Sequence, residues 1–174
     1  MTNSVLRSFA KNWSRSTTES SPEFPTVELW RISNYADLTG TGGLRASGRW
    51  HSRGRRIVYL ADHPSSALLE MLVHMDREFL PATYQMLRVA IPSGVETNMV
   101  AADELPLDWA ERLEVSRRIG DNWLDHGSHP LLRVPSVIVP QAVNYLLNPA
   151  HPGAADITIA EIIRAPFDPR LIGG

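Results

Sequence analysis

The sequence predicts an α+β fold in a single compact domain, and three observations predict it. The chain has 174 residues, a length at which one domain with a substantial buried core is expected. Short apolar runs rich in β-branched and aromatic residues recur along it, separated by Gly, Pro, Asn and Asp turn signals, the pattern of strands. Several of these runs follow one another without a helix between them, an order that favours α+β over a doubly wound parallel sheet.

The whole-chain figures narrow the function classes. A net charge of -2 argues against a general nucleic-acid binder while leaving room for a local basic groove. There is no cysteine, which removes disulfides and thiol-rich metal sites and fits a reducing compartment. No stretch approaches the ~20 apolar residues of a membrane helix, and the first residues lack a signal-peptide apolar core. The expectation is a cytoplasmic protein. His74, His126, His129 and His151 have no metal-ligand spacing, so no metal site is expected.

Taken in order, residues 1–25 read as a flexible lead-in, since Ser14, Ser16, Thr17, Thr18, Ser20 and Ser21 are closed by Pro22 and Pro25. The domain is expected over residues 26–174. Val27-Glu28-Leu29-Trp30-Arg31-Ile32 reads as a strand ending near Arg31. Gly40, Gly42, Gly43 and Gly48 then make a permissive loop in which backbone can approach a ligand. Residues 56–61 read as a short buried strand, and Asp62-His63-Pro64-Ser65 as the start of a helix over residues 65–77. Leu68, Leu69, Leu72, Val73 and Met75 supply its apolar positions, with Glu70 among them one turn from Val73 and His74. Residues 83–91 form a strand closed by Pro92-Ser93-Gly94, and residues 95–100 are expected to continue the pairing. A helix follows over residues 111–125, with Leu113, Ile119, Trp123 and Leu124 on one face and Gly127 as its stop; Trp109 and Trp123 are assigned to the core. Residues 131–139 read as a strand that carries Ser136, placed at an edge or bulged because Pro135 cannot donate a ladder hydrogen bond. Residues 156–163 form the last strand, where Glu161 shares the parity of Ile157, Ile159 and Ile163, as a paired or edge residue would.

The chemistry concentrates between residues 29 and 74. Arg31, Arg45, Arg49, Arg53, Arg55 and Arg56 carry planar forks suited to phosphate oxygens. Most members of such a run belong to a solvated basic loop, but Arg31 interrupts a strand otherwise bound for the core. Glu70, in an apolar segment, is the candidate carboxylate. Ser136 has no Gly-x-Ser-x-Gly elbow, so a serine hydrolase has little support.

The runs Leu29-Trp30-Arg31, Gly48-Arg49-Trp50-His51, Val58-Tyr59-Leu60-Ala61 and Ala67-Leu68-Leu69-Glu70 together resemble the RES-domain family, named for an arginine, a glutamate and a serine. Val134-Pro135-Ser136, then Asn144-Tyr145-Leu146-Leu147-Asn148-Pro149, His151-Pro152 and the closing Phe167-Asp168-Pro169-Arg170-Leu171 look like the second half of that signature. The likeness covers roughly residues 26–172. It implies an ADP-ribosyltransferase-like mixed β core flanked by helices, NAD as substrate with no resident cofactor, and a toxin held by a cognate Xre-type helix-turn-helix antitoxin that masks the active site, with DNA contacted only through that antitoxin.

By position, the naming residues match Arg31, Glu70 and Ser136, while Arg49 and Tyr59 match further positions of the NAD pocket. His51 stands where the family often has asparagine, and His51 and Asn148 complete the candidate contacts. On this resemblance Arg31 and Arg49 clamp the pyrophosphate, Tyr59 stacks on nicotinamide, Ser136 hydrogen-bonds substrate or orients Glu70, and Glu70 stabilises the sugar cation formed as the nicotinamide–ribose bond breaks. The acceptor stays open among water, phosphate and a protein side chain, the last making the chain a mono-ADP-ribosyltransferase. Two other classes stand beside this one: a ribonuclease toxin using the basic run with His51 and His63, and a non-catalytic subunit that modulates the antitoxin's DNA binding.

Overall fold

The computed structural model describes residues 26–75 and 81–171. The expected lead-in over residues 1–25 and residues 76–77 of the helix expected over 65–77 lie outside the described residues; that helix already ends at Leu72, short of the expected bound. One seven-stranded sheet organises the rest, built from β1 (Val27–Ile32), β2 (Val58–Ala61), β3 (Thr83–Ile91), β4 (Thr97–Met99), β5 (Leu131–Pro135), β6 (Val143–Leu147) and β7 (Thr158–Pro166) in the order β4-β5-β6-β2-β1-β3-β7. Every neighbouring pair is antiparallel except β4 with β5. Among the described residues three α-helices accompany it: α1 (Gly42–Arg45), α2 (Pro64–Leu72) and α3 (Leu113–His126). The fold is the α+β, mixed-sheet arrangement that the sequence predicts.

Alternation along the strands divides the core in two. Leu131 and Leu147 point to a cluster with Leu29, Val58, Leu60, Leu87 and Val89, whereas Leu132, Val134 and Leu146 join Trp50, Ile57 and Trp123. Successive side chains of a strand leave on opposite faces, so a sheet covered on both sides reads in sequence as an unbroken apolar run. α3 contributes to the second cluster through Val115, Ser116, Gly120 and Trp123. Leu113, expected on this face, is instead 38% exposed, because the helix is rotated to bring Gly120 against the chain at Trp50. A Cβ at Gly120 would lie 1.8 Å from the Trp50 carbonyl oxygen, a contact that only glycine permits. Ser116 Oγ fastens the same junction by donating to the Arg49 carbonyl at 2.7 Å. Gly127 ends the helix as expected, with φ 56° and its N–H on the Trp123 carbonyl.

Three expectations are corrected here. β4 does not continue the β3 hairpin but runs parallel to β5. β5 stops at Pro135 and is interior, between β4 and β6. The proline is tolerated because β4 ends at Met99, opposite Arg133: the Ser136 N–H faces Ala142 across the β5–β6 hairpin, so by alternation the Pro135 nitrogen faces the side that β4 has already left. In α2 the expected inward positions Leu69 and Val73 are exposed, and Ala67 is the buried residue. Glu161 is paired as its parity suggests, accepting from Arg88 Nε at 3.0 Å across β3 and β7.

Candidate active site

A cleft of about 570 Å³ opens between α2, the β1–β2–β6 part of the sheet and the turn after β5. On α2, Ala67, Glu70 and Met71 line it, an i, i+3, i+4 stripe of one helical face, and Val73, His74 and Met75 just past the end of the helix continue the wall. That stripe turns Glu70 inward and leaves Leu69 outside. The helix is set by Pro64 in its first turn and by His63, whose Nδ1 accepts from the Ser65 N–H at 3.2 Å.

Two donors from distant strands meet the Glu70 carboxylate. Asn144 Nδ2 donates to Oε1 at 2.6 Å and Ser136 Oγ donates to the same oxygen at 3.2 Å. Asn144 is aimed by sheet register, opposite Ala61 on one side and Val134 on the other. Ser136 is held by its turn, where its Oγ accepts the N–H groups of Ile138 and Val139, a local motif typical of serine after a strand. Among the described residues both bonds fall on Oε1, so the carboxylate is oriented while Oε2 is uncommitted. Asn144 Oδ1 is also buried without a partner.

The opposite charge comes from Arg31. Its Nη1 donates to the Tyr59 carbonyl at 3.4 Å, and its Nε is buried without a partner among the described residues. Burial pulls its pKa below the ordinary arginine value, with Asp37 pulling it back up, yet an arginine stays protonated in any protein setting. A cation taken from water with a donor unfilled is a place for an anion. Arg49, also on the cleft wall, donates Nη1 to the Ala110 carbonyl at 2.9 Å and lies 6.0 Å over the Trp109 ring. Tyr59 presents its ring to the cleft while its hydroxyl is engaged behind it, accepting from the Trp50 N–H at 3.0 Å and meeting His51 Nδ1 at 2.9 Å.

The structure thus gathers Arg31, Arg49, Tyr59 and Glu70 around one cleft and places Ser136 on Glu70. His51 is not in the lining; it is buried behind Tyr59. Asn148 is elsewhere, just past the other end of β6, where its Oδ1 accepts the Ala150 N–H at 3.0 Å to form a turn. The residue that sequence reasoning passed over is Asn144. The sequence reads residues 144–152 as an ordered loop with polar contacts, which does not separate the two asparagines; the structure corrects this, since residues 143–147 form β6 and only Asn144 lies within it. Of the remaining arginines, Arg55 pairs with Asp121 and Asp125, Arg56 donates to the Thr39 carbonyl, and Arg45 and Arg53 are exposed and outside the lining.

The chain is similar to several known proteins. The RES domain family matches residues 28–168. A Pseudomonas putida protein named Toxin Res is 49% identical over 133 residues, covering 75% of this chain and 90% of that protein. A Sphingobium protein named Prs ADP-ribosylating toxin is 35% identical over 159 residues, covering 84% of this chain and 98% of its own. In three dimensions, the chain superposes on a chain of the M. tuberculosis MbcT–MbcA toxin–antitoxin complex with a TM-score of 0.64, over 86% of this chain and 88% of that one, at 16% identity. That likeness concerns the fold.

Proposed function

Since this chain belongs to the RES-domain family, we propose that it is the toxin of a toxin–antitoxin pair and that it cleaves the nicotinamide–ribose bond of NAD. One observation carries the reading: a single cleft holds a half-buried guanidinium, Arg31, whose buried Nε has no partner among the described residues, and a carboxylate, Glu70, that those residues fix through one oxygen only. The substrate has both counterparts, an anionic pyrophosphate and a ribose that turns cationic in the transition state.

Arg31 and Arg49 bind the pyrophosphate through charge-assisted hydrogen bonds. Tyr59, with its hydroxyl already engaged on both sides, offers its ring as a stacking wall and no proton. Met71, Met75, Val137 and Ile138 supply apolar lining, which lowers the local dielectric and strengthens the charges inside. As the C–N bond breaks, its electron pair leaves with the nicotinamide nitrogen, which becomes neutral, so no general acid is needed. The positive charge developing on the ribose is stabilised by Glu70 Oε2, while Asn144 and Ser136 keep the carboxylate from reorienting. Water as acceptor gives ADP-ribose, and phosphate gives the corresponding sugar phosphate.

A partner over the cleft fits its rim, where Leu69, Val73 and Val137 are exposed beside a polar floor; the neighbouring fold comes from a toxin–antitoxin complex. We assign this role to an Xre-type antitoxin. A second reading, transfer of ADP-ribose to a protein, is favoured by the name of the Sphingobium relative. It uses the same cleft and the same bond cleavage. The ribonuclease reading loses support, because His51 is buried and His63 caps α2.

The test is to incubate the antitoxin-free protein with NAD, with and without phosphate, and to follow nicotinamide and the ribosyl product. Nicotinamide release that disappears in Glu70→Gln is the expected result. Release that survives the substitution removes Glu70 from the mechanism, and release that requires added cell protein points to the second reading.

A further inference from the structure

Behind the cleft wall, the Tyr59 hydroxyl and the His51 imidazole form a pair whose proton positions are dictated by their neighbours. His51 Nε2 lies 3.0 Å from the Ala46 carbonyl oxygen, which only accepts, so Nε2 carries the ring proton. Nδ1 is then an acceptor, and it faces two donors: the Gly48 N–H at 3.2 Å and the Tyr59 hydroxyl at 2.9 Å. The phenol oxygen in turn accepts the Trp50 N–H at 3.0 Å, which leaves its own proton directed at Nδ1. The imidazole is 4% exposed, and its ring centre lies 5.6 Å from that of Tyr59. There is no slack around the pair, since a Cβ at Gly48 would come within 2.6 Å of the phenol oxygen and 2.8 Å of the imidazole.

We propose that His51 is a positioning residue that holds the Tyr59 ring as a fixed wall of the NAD site only in its neutral, Nε2–H form, so that affinity for NAD falls when the imidazole takes up a second proton. The proposal rests on the reading of the cleft as an NAD site. A proton on Nδ1 would point at two donors at once; the Tyr59 proton would lose its acceptor, and the ring would be free to turn.

The charged surroundings are mixed. Burial lowers the His51 pKa most, the Ala46 bond and Asp121 of α3 raise it, and Arg117 of α3 and Arg55 of the preceding loop lower it. Asp121 is itself engaged by Ser52 and Arg55, and Arg117 Nε donates to the Gly48 carbonyl at 2.9 Å. On the other side, burial pushes the Tyr59 phenol well above its ordinary value, against the Trp50 bond and the nearby Arg117 and Arg49, so the phenol keeps its proton throughout. The imidazole is therefore the member of the pair that titrates.

The experiment has two arms on the free, full-length protein. In the first, imidazole nitrogen shifts of labelled protein are followed against pH together with the Tyr59 ring resonances. The expected result is a neutral Nε2–H tautomer, with ring flipping of Tyr59 accelerating as His51 titrates. An Nδ1–H tautomer, or a Tyr59 ring indifferent to that titration, overturns the proposal.

In the second arm, KM for NAD is measured against pH in wild type, H51F and H51N. H51F raises KM about two- to tenfold, the weight of one neutral hydrogen bond, more than it lowers kcat. H51N, whose amide oxygen replaces Nδ1 and does not titrate, recovers the affinity and loses the rise of KM at acid pH. An acid rise that persists in H51N overturns the proposal. If wild type releases no nicotinamide either alone or with added cell protein, the NAD reading falls, and the first arm still decides whether His51 fixes the Tyr59 ring.

Discussion

Two polar clusters flank the cleft, and they differ in how completely they are satisfied. Around Glu70, two donors converge on Oε1 while Oε2 stays uncommitted and Asn144 Oδ1 lacks a partner. Around Tyr59 the hydroxyl, both imidazole nitrogens, and the Gly48 N–H and carbonyl are all engaged. Buried polar groups are costly unless paired. The open cluster carries unmet bonding capacity that a substrate fills, whereas the closed one converts its bonds into rigidity. Substitutions in the first are therefore read in rate and affinity at unchanged stability, whereas substitutions in the second are read in stability, with any change of affinity arriving through the Tyr59 ring.

The largest effect is expected from Glu70→Gln, which keeps the shape and removes the charge: kcat for nicotinamide release falls about 10²- to 10³-fold at an unchanged melting temperature. A parallel loss of stability would erase the distinction between the clusters. Arg31→Ala comes next, raising KM for NAD about 10- to 100-fold through lost charge-assisted bonds; isothermal titration of NAD into the Glu70→Gln protein, with and without Arg31→Ala, measures this without turnover. Asn144→Leu, similar in volume but without the donor, lowers kcat about tenfold, and steady-state kinetics showing no change would mean that Ser136 alone orients the carboxylate. On the closed side, Gly48→Ala forces a methyl into the Tyr59–His51 contact and costs about 1–3 kcal/mol, read by denaturant unfolding.

The smallest effect is a pH slope. Burial places the folded His51 pKa below the ordinary 6.5, so at mildly acid pH the unfolded chain binds the proton and the folded one does not. Stability is fully present above 6.5 and declines as pH falls from there through the lowered folded value. Unfolding curves for wild type and H51N should diverge in that window and coincide above it.

Much of the scaffold was legible in the sequence, because it is local: strands at Val27–Ile32 and Thr83–Ile91 and the stop at Gly127 follow from side-chain periodicity and from a left-handed glycine. Arg31 was legible as a charge in a core strand. The open cluster was harder to read. Glu70 faces inward although the more hydrophobic Leu69 beside it stays exposed, and only the packed helix shows that the face of Ala67, Glu70 and Met71 is the one that counts. Asn144 became distinguishable from Asn148 once pairing with Ala61 and Val134 fixed its place. Contacts between residues far apart in sequence leave no periodic trace.

That separation has a consequence in time. The bonds that orient Glu70 reach forward 66 residues to Ser136 and 74 to Asn144, and β6, which brings Asn144, lies in the middle of the sheet between β5 and β2. On a ribosome, α2 emerges well before its partners, and contacts of such long range form late in folding. Until the β5–β6 hairpin has been synthesised and has zipped onto β2, the carboxylate has nothing to orient it. A growing chain of this kind acquires its oriented carboxylate only when most of the described residues have been made.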